Sequence, residues 1–149
     1  MIRRPPRSTR VRSSAASDVY KRQVFADEFD AMALQAKKIA GWGSNVYVKV
    51  PITNTRAERS APLVKDLSVN ARVQLNVTAL CTLEQVHETS QALRGGAPAV
   101  ISVFAGRIAD TGRDPIPFMK AARAIIDASG ADAELLLSLI HISEPTRPY

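Results

Sequence analysis

Residues 45–50 read NVYVKV and are stopped by Pro51; residues 72–77 read RVQLNV, and residues 99–104 read AVISVF. Successive side chains of an extended strand face opposite ways, so Val46, Val48 and Val50 share one side while Asn45, Tyr47 and Lys49 share the other. The next two stretches divide alike. Val73, Leu75 and Val77 oppose Gln74, Asn76 and Thr78, and Ile101, Val103 and Ala105 oppose Val100, Ser102 and Phe104. Each strand therefore has one wholly apolar side and one that carries polar groups. An open parallel sheet covered by helices on both faces reads instead as near-continuous apolar runs. A closed barrel packs the apolar set under its helices and turns the other set inward, toward an active site at the C-terminal mouth.

Outward from these strands, the sequence alternates short apolar stretches with helical patterns, the signature of an α/β fold with a parallel sheet. A first strand is expected at Val24–Ala26. A helix follows over about Asp30–Trp42, with Met32, Leu34, Ala36 and Ile39 on one stripe and Gly41 and Gly43 closing it. A second helix is expected over about Ala57–Leu67. The third runs over Thr82–Leu93, with Thr82 as N-cap and Gln85 in the capping-box position, and Gly95 and Gly96 end it. The fourth strand leads into a polar loop, GRIADTGRD, then a helix over about Pro115–Ser129 that Gly130 terminates. Strands recur every 26 to 28 residues or so, the size of a βα unit in an eight-stranded barrel or a doubly wound sheet. No strand is followed by a Gly-rich phosphate loop, so the dinucleotide-binding fingerprint is missing.

Composition bounds the rest. The chain has 149 residues, enough for one domain, and a single cysteine, Cys81. One thiol makes neither a disulfide framework nor a Cys-rich zinc site, which points to a reducing, cytoplasmic setting. The longest apolar stretches, such as Leu135–Leu137 and Leu139–Ile142, fall far short of the ~20 residues a membrane span needs. The net charge of +6 suggests an anionic partner until it is located. Residues 1–23 hold seven Lys and Arg against one acid, Asp18, and carry the whole excess; residues 24–137 hold twelve of each sign. The basic segment has no apolar stretch of the kind a secretory signal requires. It and the terminal SLIHISEPTRPY resemble translated sequencing-adapter sequence. The expected division is thus an extraneous, disordered basic segment over 1–23, a partial barrel domain over 24–137, and an extraneous tail over 138–149. Neither nucleic acid nor a membrane is expected as partner.

Among the inward-facing residues, Lys49 stands out. An ammonium in a barrel mouth is stripped of hydration, which favours the neutral amine that can attack a carbonyl, although a solvated strand-end lysine has the same sequence. Asn76, Thr78 and Ser102 gather toward the C-terminal ends of their strands, where they can hold a water and orient sugar hydroxyls; taken singly, each also reads as a satisfied buried polar group. Arg107 follows the fourth strand, where a guanidinium can grip a phosphate with two parallel hydrogen bonds or simply lie at the surface. Trp42, His87 and Cys81 are given no chemistry.

At VYVKVPITNT (46–55), LNVTALCT (75–82) and ISVFAGRIADTG (101–112) the sequence resembles the transaldolase family, particularly its short-chain members, in the order and spacing of three motifs over about residues 24–136. The resemblance implies a partial (β/α)8 TIM barrel of about four βα units, the family's third to sixth. It implies that Lys49 forms an imine with the ketone of a ketose phosphate, and that carbon–carbon cleavage leaves a dihydroxyacetone enamine on it. Asn76 and Thr78 match positions that hold the intermediate and the catalytic water. Ser102 and Phe104 match pocket residues, and Arg107 a phosphate-binding arginine. The family's fructose-6-phosphate aldolases carry tyrosine at the Phe104 position, so phenylalanine favours transfer.

By the same resemblance the parent protein is a transferase of the pentose phosphate pathway, homo-oligomeric, acting on sugar phosphates with no metal or organic cofactor. The family's acid or amide on its third strand falls on Gln23, and its strand-one aspartate, strand-two asparagine and strand-seven Ser/Arg pair have no counterpart. Two alternatives stand beside transfer: an aldolase-type lyase, and a non-catalytic fragment whose basic arm binds anionic polymers weakly.

Overall fold

The computed structural model describes residues 20–138. The remainder of the two terminal segments, residues 1–19 and 139–149, and the expectations that rest on them lie outside the described residues. Five parallel strands form one sheet in sequence order: β1 (Tyr20–Gln23), β2 (Val46–Pro51), β3 (Leu75–Leu80), β4 (Ala99–Val103) and β5 (Ala133–Leu137). Between them run α1 (Phe29–Ala40), α2 (Ala61–Lys65) continuing into a π-helical turn (Asp66–Asn70), α3 (Leu83–Leu93), α4 (Ala105–Asp110) and α5 (Pro115–Ser129). A doubly wound sheet reverses strand order at a switch point. This sheet never does. It is the sector of a (β/α)8 barrel made by four βα units and a fifth strand.

The apolar side of the strands forms the core. Val48, Val50, Leu75, Val77, Ile101 and Val103 are fully buried beneath the helices, and each such side chain contributes on the order of 2 kcal/mol. The helices meet them through stripes at helical spacing: Met32, Ala36 and Ile39 on α1, Val86 and Leu93 on α3, Met119, Ala122 and Ile126 on α5. Their ends follow from local chemistry. Thr82 and Gln85 close the expected capping box, Thr82 Oγ1 accepting from Gln85 N at 3.2 Å and Gln85 Oε1 from Thr82 N at 3.1 Å. Asp114 caps α5, and Gly130 ends it at φ 71°, a conformation natural to glycine.

Five expectations shift. Leu34, expected on the buried stripe of α1, is 73% exposed, because it lies two residues, about 200° around the helix, from both Met32 and Ala36. The first strand is Tyr20–Gln23 rather than Val24–Ala26, held by backbone pairing with Val46–Lys49. It lies at a sheet edge, where a strand needs no apolar pattern. The second helix begins at Ala61, not Ala57, because the Asn54 side chain captures the amides of Arg56 and Glu58 in a tight loop and Ala57 takes φ 61°. The third strand starts at Leu75 rather than Arg72. Arg72 has φ 55° and Val73 N still donates to Leu67 O, so residues 71–74 belong to the exit from the π turn. Finally, part of the stretch read as a polar loop is helix α4. Buried Ile108 seats it on the core while Arg107 and Asp110 pair across its outer face at 3.5 Å.

At one point helix and strand connections touch closely. A Cβ on Gly96 would lie 2.0 Å from Ser68 Oγ, and Ala97 N donates to Ser68 O at 3.0 Å, so the α3–β4 connection packs directly on the π turn.

Candidate functional site

The side of the sheet opposite the core carries a register of polar residues. Gln23 pairs with Lys49, Lys49 with Asn76, Asn76 with Val100, and Val100 with Glu134, so these five residues cross the sheet as one row. In-register neighbours of a parallel sheet project to the same face, about 4.8 Å apart. Lys49 and Asn76 are therefore adjacent. Lys49 is half-buried and, among the described residues, makes no ion pair. Asn76 is buried at 3% exposure, and its Oδ1 accepts from Ser102 Oγ at 2.7 Å. That bond ties β3 to β4 and engages the amide oxygen, so the donor Nδ2 is the end of Asn76 it does not use.

Thr78 pairs with Pro51, one row nearer the mouth, and is buried at 5% exposure. Just beyond it the register slips. Four residues of β3, Val77 to Leu80, span what three residues of β4, Ile101 to Val103, span opposite. Ala79, at φ 69°, is the extra residue of this bulge. Strict alternation would put Leu80 on the polar side with Asn76 and Thr78; the bulge returns it to the core, where it is fully buried. Nothing in an Ala between Thr and Leu announces that kink.

Phe104 stands at the N-cap position of α4, half-buried, its N–H bonded to Leu80 O at 2.8 Å. Arg107, one turn on, is mostly exposed and pairs with Asp110. Burial pushes the Cys81 thiol up and the Arg107 charge pulls it back. The structure thus gathers Lys49, Asn76, Thr78 and Ser102 on one face and sets Arg107 at its rim, where no hydrogen bond among the described residues joins it to that group. An apolar groove of about 390 Å³, lined by Pro115, Ile116, Met119 and Leu137 among others, lies on the helix side by β5 and is unconnected with this row.

The sequence reading missed a set of residues on the rim beside Lys49. Asp27 and Glu28, after β1, bond to Thr55 and Arg56, in the loop after β2. The one available signal was Asn54, an Asx-turn former two and four residues before the amides it binds.

No helix among the described residues is long and apolar enough to cross a membrane. Residues 18–139 match the family model for transaldolase/fructose-6-phosphate aldolase. The chain is 33% identical over 111 residues to a probable transaldolase of Streptococcus equi subsp. zooepidemicus, covering 74% of this chain and 48% of that protein. It is 35% identical over 111 residues to a probable transaldolase of Streptococcus agalactiae serotype V, covering 74% and 47%, and 34% identical over 111 residues to one of Streptococcus pyogenes serotype M5, covering 74% and 48%. The chain spans about half the length of the curated relatives it matches. A sheet in barrel order, a lysine in register with a buried amide, and a family match over residues 18–139 lead to one conclusion: the chain belongs to the transaldolase/fructose-6-phosphate aldolase family.

Proposed function

We propose that the full-length protein is a transaldolase that moves a dihydroxyacetone unit between sugar phosphates through an imine on Lys49. The observation that carries this reading is the adjacency of Lys49 to the buried Asn76–Ser102 pair on the polar face of a barrel sector. The amine of Lys49 adds to the ketone of a ketose phosphate, giving a carbinolamine. Loss of water gives the iminium, which takes up the electron pair released when the bond between the third and fourth carbons breaks, the hydroxyl on the fourth carbon giving its proton to the water at Thr78 and becoming the aldose carbonyl. An aldose phosphate leaves and an enamine remains. Addition of the enamine to a second aldose, followed by hydrolysis, restores the amine. The roles proposed for the neighbours follow from their chemistry: Asn76 Nδ2 donates to a substrate hydroxyl, Ser102 fixes the amide that does so, and Thr78 holds the water lost and regained. Phe104 offers no hydroxyl, which favours transfer to a second sugar over release. Arg107, on the rim, is assigned the phosphate.

The test is reduction with borohydride in the presence of fructose 6-phosphate, followed by mass spectrometry of the peptide containing Lys49. A substrate-sized addition to Lys49 in the full-length protein is expected; an unmodified Lys49 alongside active enzyme would remove the proposal. Turnover that needs no aldose phosphate acceptor would identify an aldolase instead.

A further inference from the structure

The loops after β1 and β2 are bound into one rim on the side of the mouth where Lys49 lies. Gln35 Oε1, from α1, accepts from Phe25 N at 2.8 Å and Ala26 N at 3.0 Å and fixes the first loop. The Asp27 carboxylate then accepts from Thr55 N at 2.8 Å and Thr55 Oγ1 at 2.6 Å. Arg56 grips Glu28 with both terminal nitrogens, at 2.5 and 2.9 Å, and turns the same guanidinium to Glu58 at 3.0 Å. Asn54, buried at 7% exposure, holds the second loop in shape: its Oδ1 accepts from Arg56 N and Glu58 N, and its Nδ2 donates to Glu58. Ser60 fastens the far end back onto the strand, its Oγ donating to Pro51 O at 2.7 Å. Arg59 in the same loop is held by Glu84 and Glu88 of α3.

As a source of stability this arrangement is weak. Ion pairs as exposed as these contribute little to folding, because solvent screens them. As a source of phosphate affinity it is weaker still, since Arg56 is matched by two carboxylates and Arg59 by two more. What the contacts do accomplish is geometric, because they remove the freedom of a loop that starts three residues after Lys49. We infer that the Arg56–Glu28 and Thr55–Asp27 contacts form a strap that fixes the mouth beside Lys49, making Arg56 a positioning residue and not a phosphate ligand.

This inference rests on the imine reading, and the test separates the two. Borohydride trapping at Lys49 is measured in the full-length protein against fructose 6-phosphate concentration, for the unsubstituted enzyme, Arg56→Ala and Arg56→Lys. Arg56→Ala is expected to lower the maximal trapping rate by on the order of tenfold while the half-saturating concentration stays within about twofold, and Arg56→Lys to recover part of the rate. A raised half-saturation at unchanged maximal rate would make Arg56 a phosphate ligand and overturn the strap, as would no change in either. If the unsubstituted enzyme traps nothing at Lys49, the imine reading fails, and amide hydrogen exchange decides the strap alone. Arg56→Ala should then speed exchange at Phe25, Ala26, Ile52 and Thr55 together; acceleration confined to residues 54–58 overturns it.

Discussion

The two faces of this sheet are built from alternate residues of the same strands, yet they answer to different rules. On the helix side, Val48, Val50, Leu75, Val77 and Ile101 are fully buried and interchangeable in kind, since any aliphatic side chain of the right volume would serve. On the opposite side, Lys49, Asn76 and Ser102 occupy positions where one hydroxyl bonds one amide at 2.7 Å and an amine stands in the next register position. The first face fixes the fold and tolerates exchange. On the function proposed above, the second tolerates almost none, because its value lies in particular atoms. Substitutions on the two faces should therefore separate stability from chemistry.

The largest effect expected is on the polar face. Lys49→Met should abolish the trapped adduct in the full-length protein while shifting urea-measured stability by no more than about 1 kcal/mol, as a half-buried lysine without an ion pair contributes little. Loss of folding along with the adduct would erase the contrast between the faces. On the apolar face, Ile101→Ala should cost about 2–5 kcal/mol in the same unfolding measurement through lost burial and the cavity left behind. Gly96→Ala tests the contact behind that face. A methyl group there would meet Ser68 Oγ at 2.0 Å, so the π turn must shift, at about 1–3 kcal/mol. Ser102→Ala should cost about 1 kcal/mol by removing a buried partner of Asn76, with a larger effect on adduct formation than on stability.

The smallest effect expected is that of acid on the rim. Bonds from Thr55 hold the Asp27 carboxyl below its ordinary 3.8, while Arg56 holds Glu28, and Asn54 with Arg56 holds Glu58, below the ordinary 4.5. Lowered carboxylates bind fewer protons folded than unfolded, so their contribution is complete above those ordinary values. It drains away as pH falls from there through the lowered folded-state values. Amide exchange at Thr55, corrected for the intrinsic pH dependence of exchange, should rise as pH drops through that window and stay level above pH 5 or so. A rise already present near neutrality would mean that the carboxylates do not hold the loop.

The same contrast explains what could be read without coordinates. Helix α5 follows its expected span, Pro115–Ser129, because a proline, a capping Asp114 and Gly130 mark its ends and Met119, Ala122 and Ile126 its face. The alternation in VYVKV separated the two sides of β2, and with it the position of Lys49, since period-two burial is a local property. The strand edge at Tyr20–Gln23 could not be found that way, being held by backbone bonds to β2 with little side-chain signal. Nor could the strap, whose bonds join residues 28 positions apart in the chain. Helix α4 was hidden for a related reason: GRIADTGRD looks polar throughout, and only the depth at which Ile108 packs makes it a helix.

The kink at Ala79 makes one strand serve two tasks in succession. Below it, β3 contributes an amide and a hydroxyl to the hollow; past it, the same backbone has rolled over, so Leu80 seals the outer mantle and Cys81 emerges at the surface. Straightening β3 at Ala79 without shortening it would restore strict two-residue alternation and drive Leu80 into the space above Lys49 and Asn76, closing the cavity with its own wall.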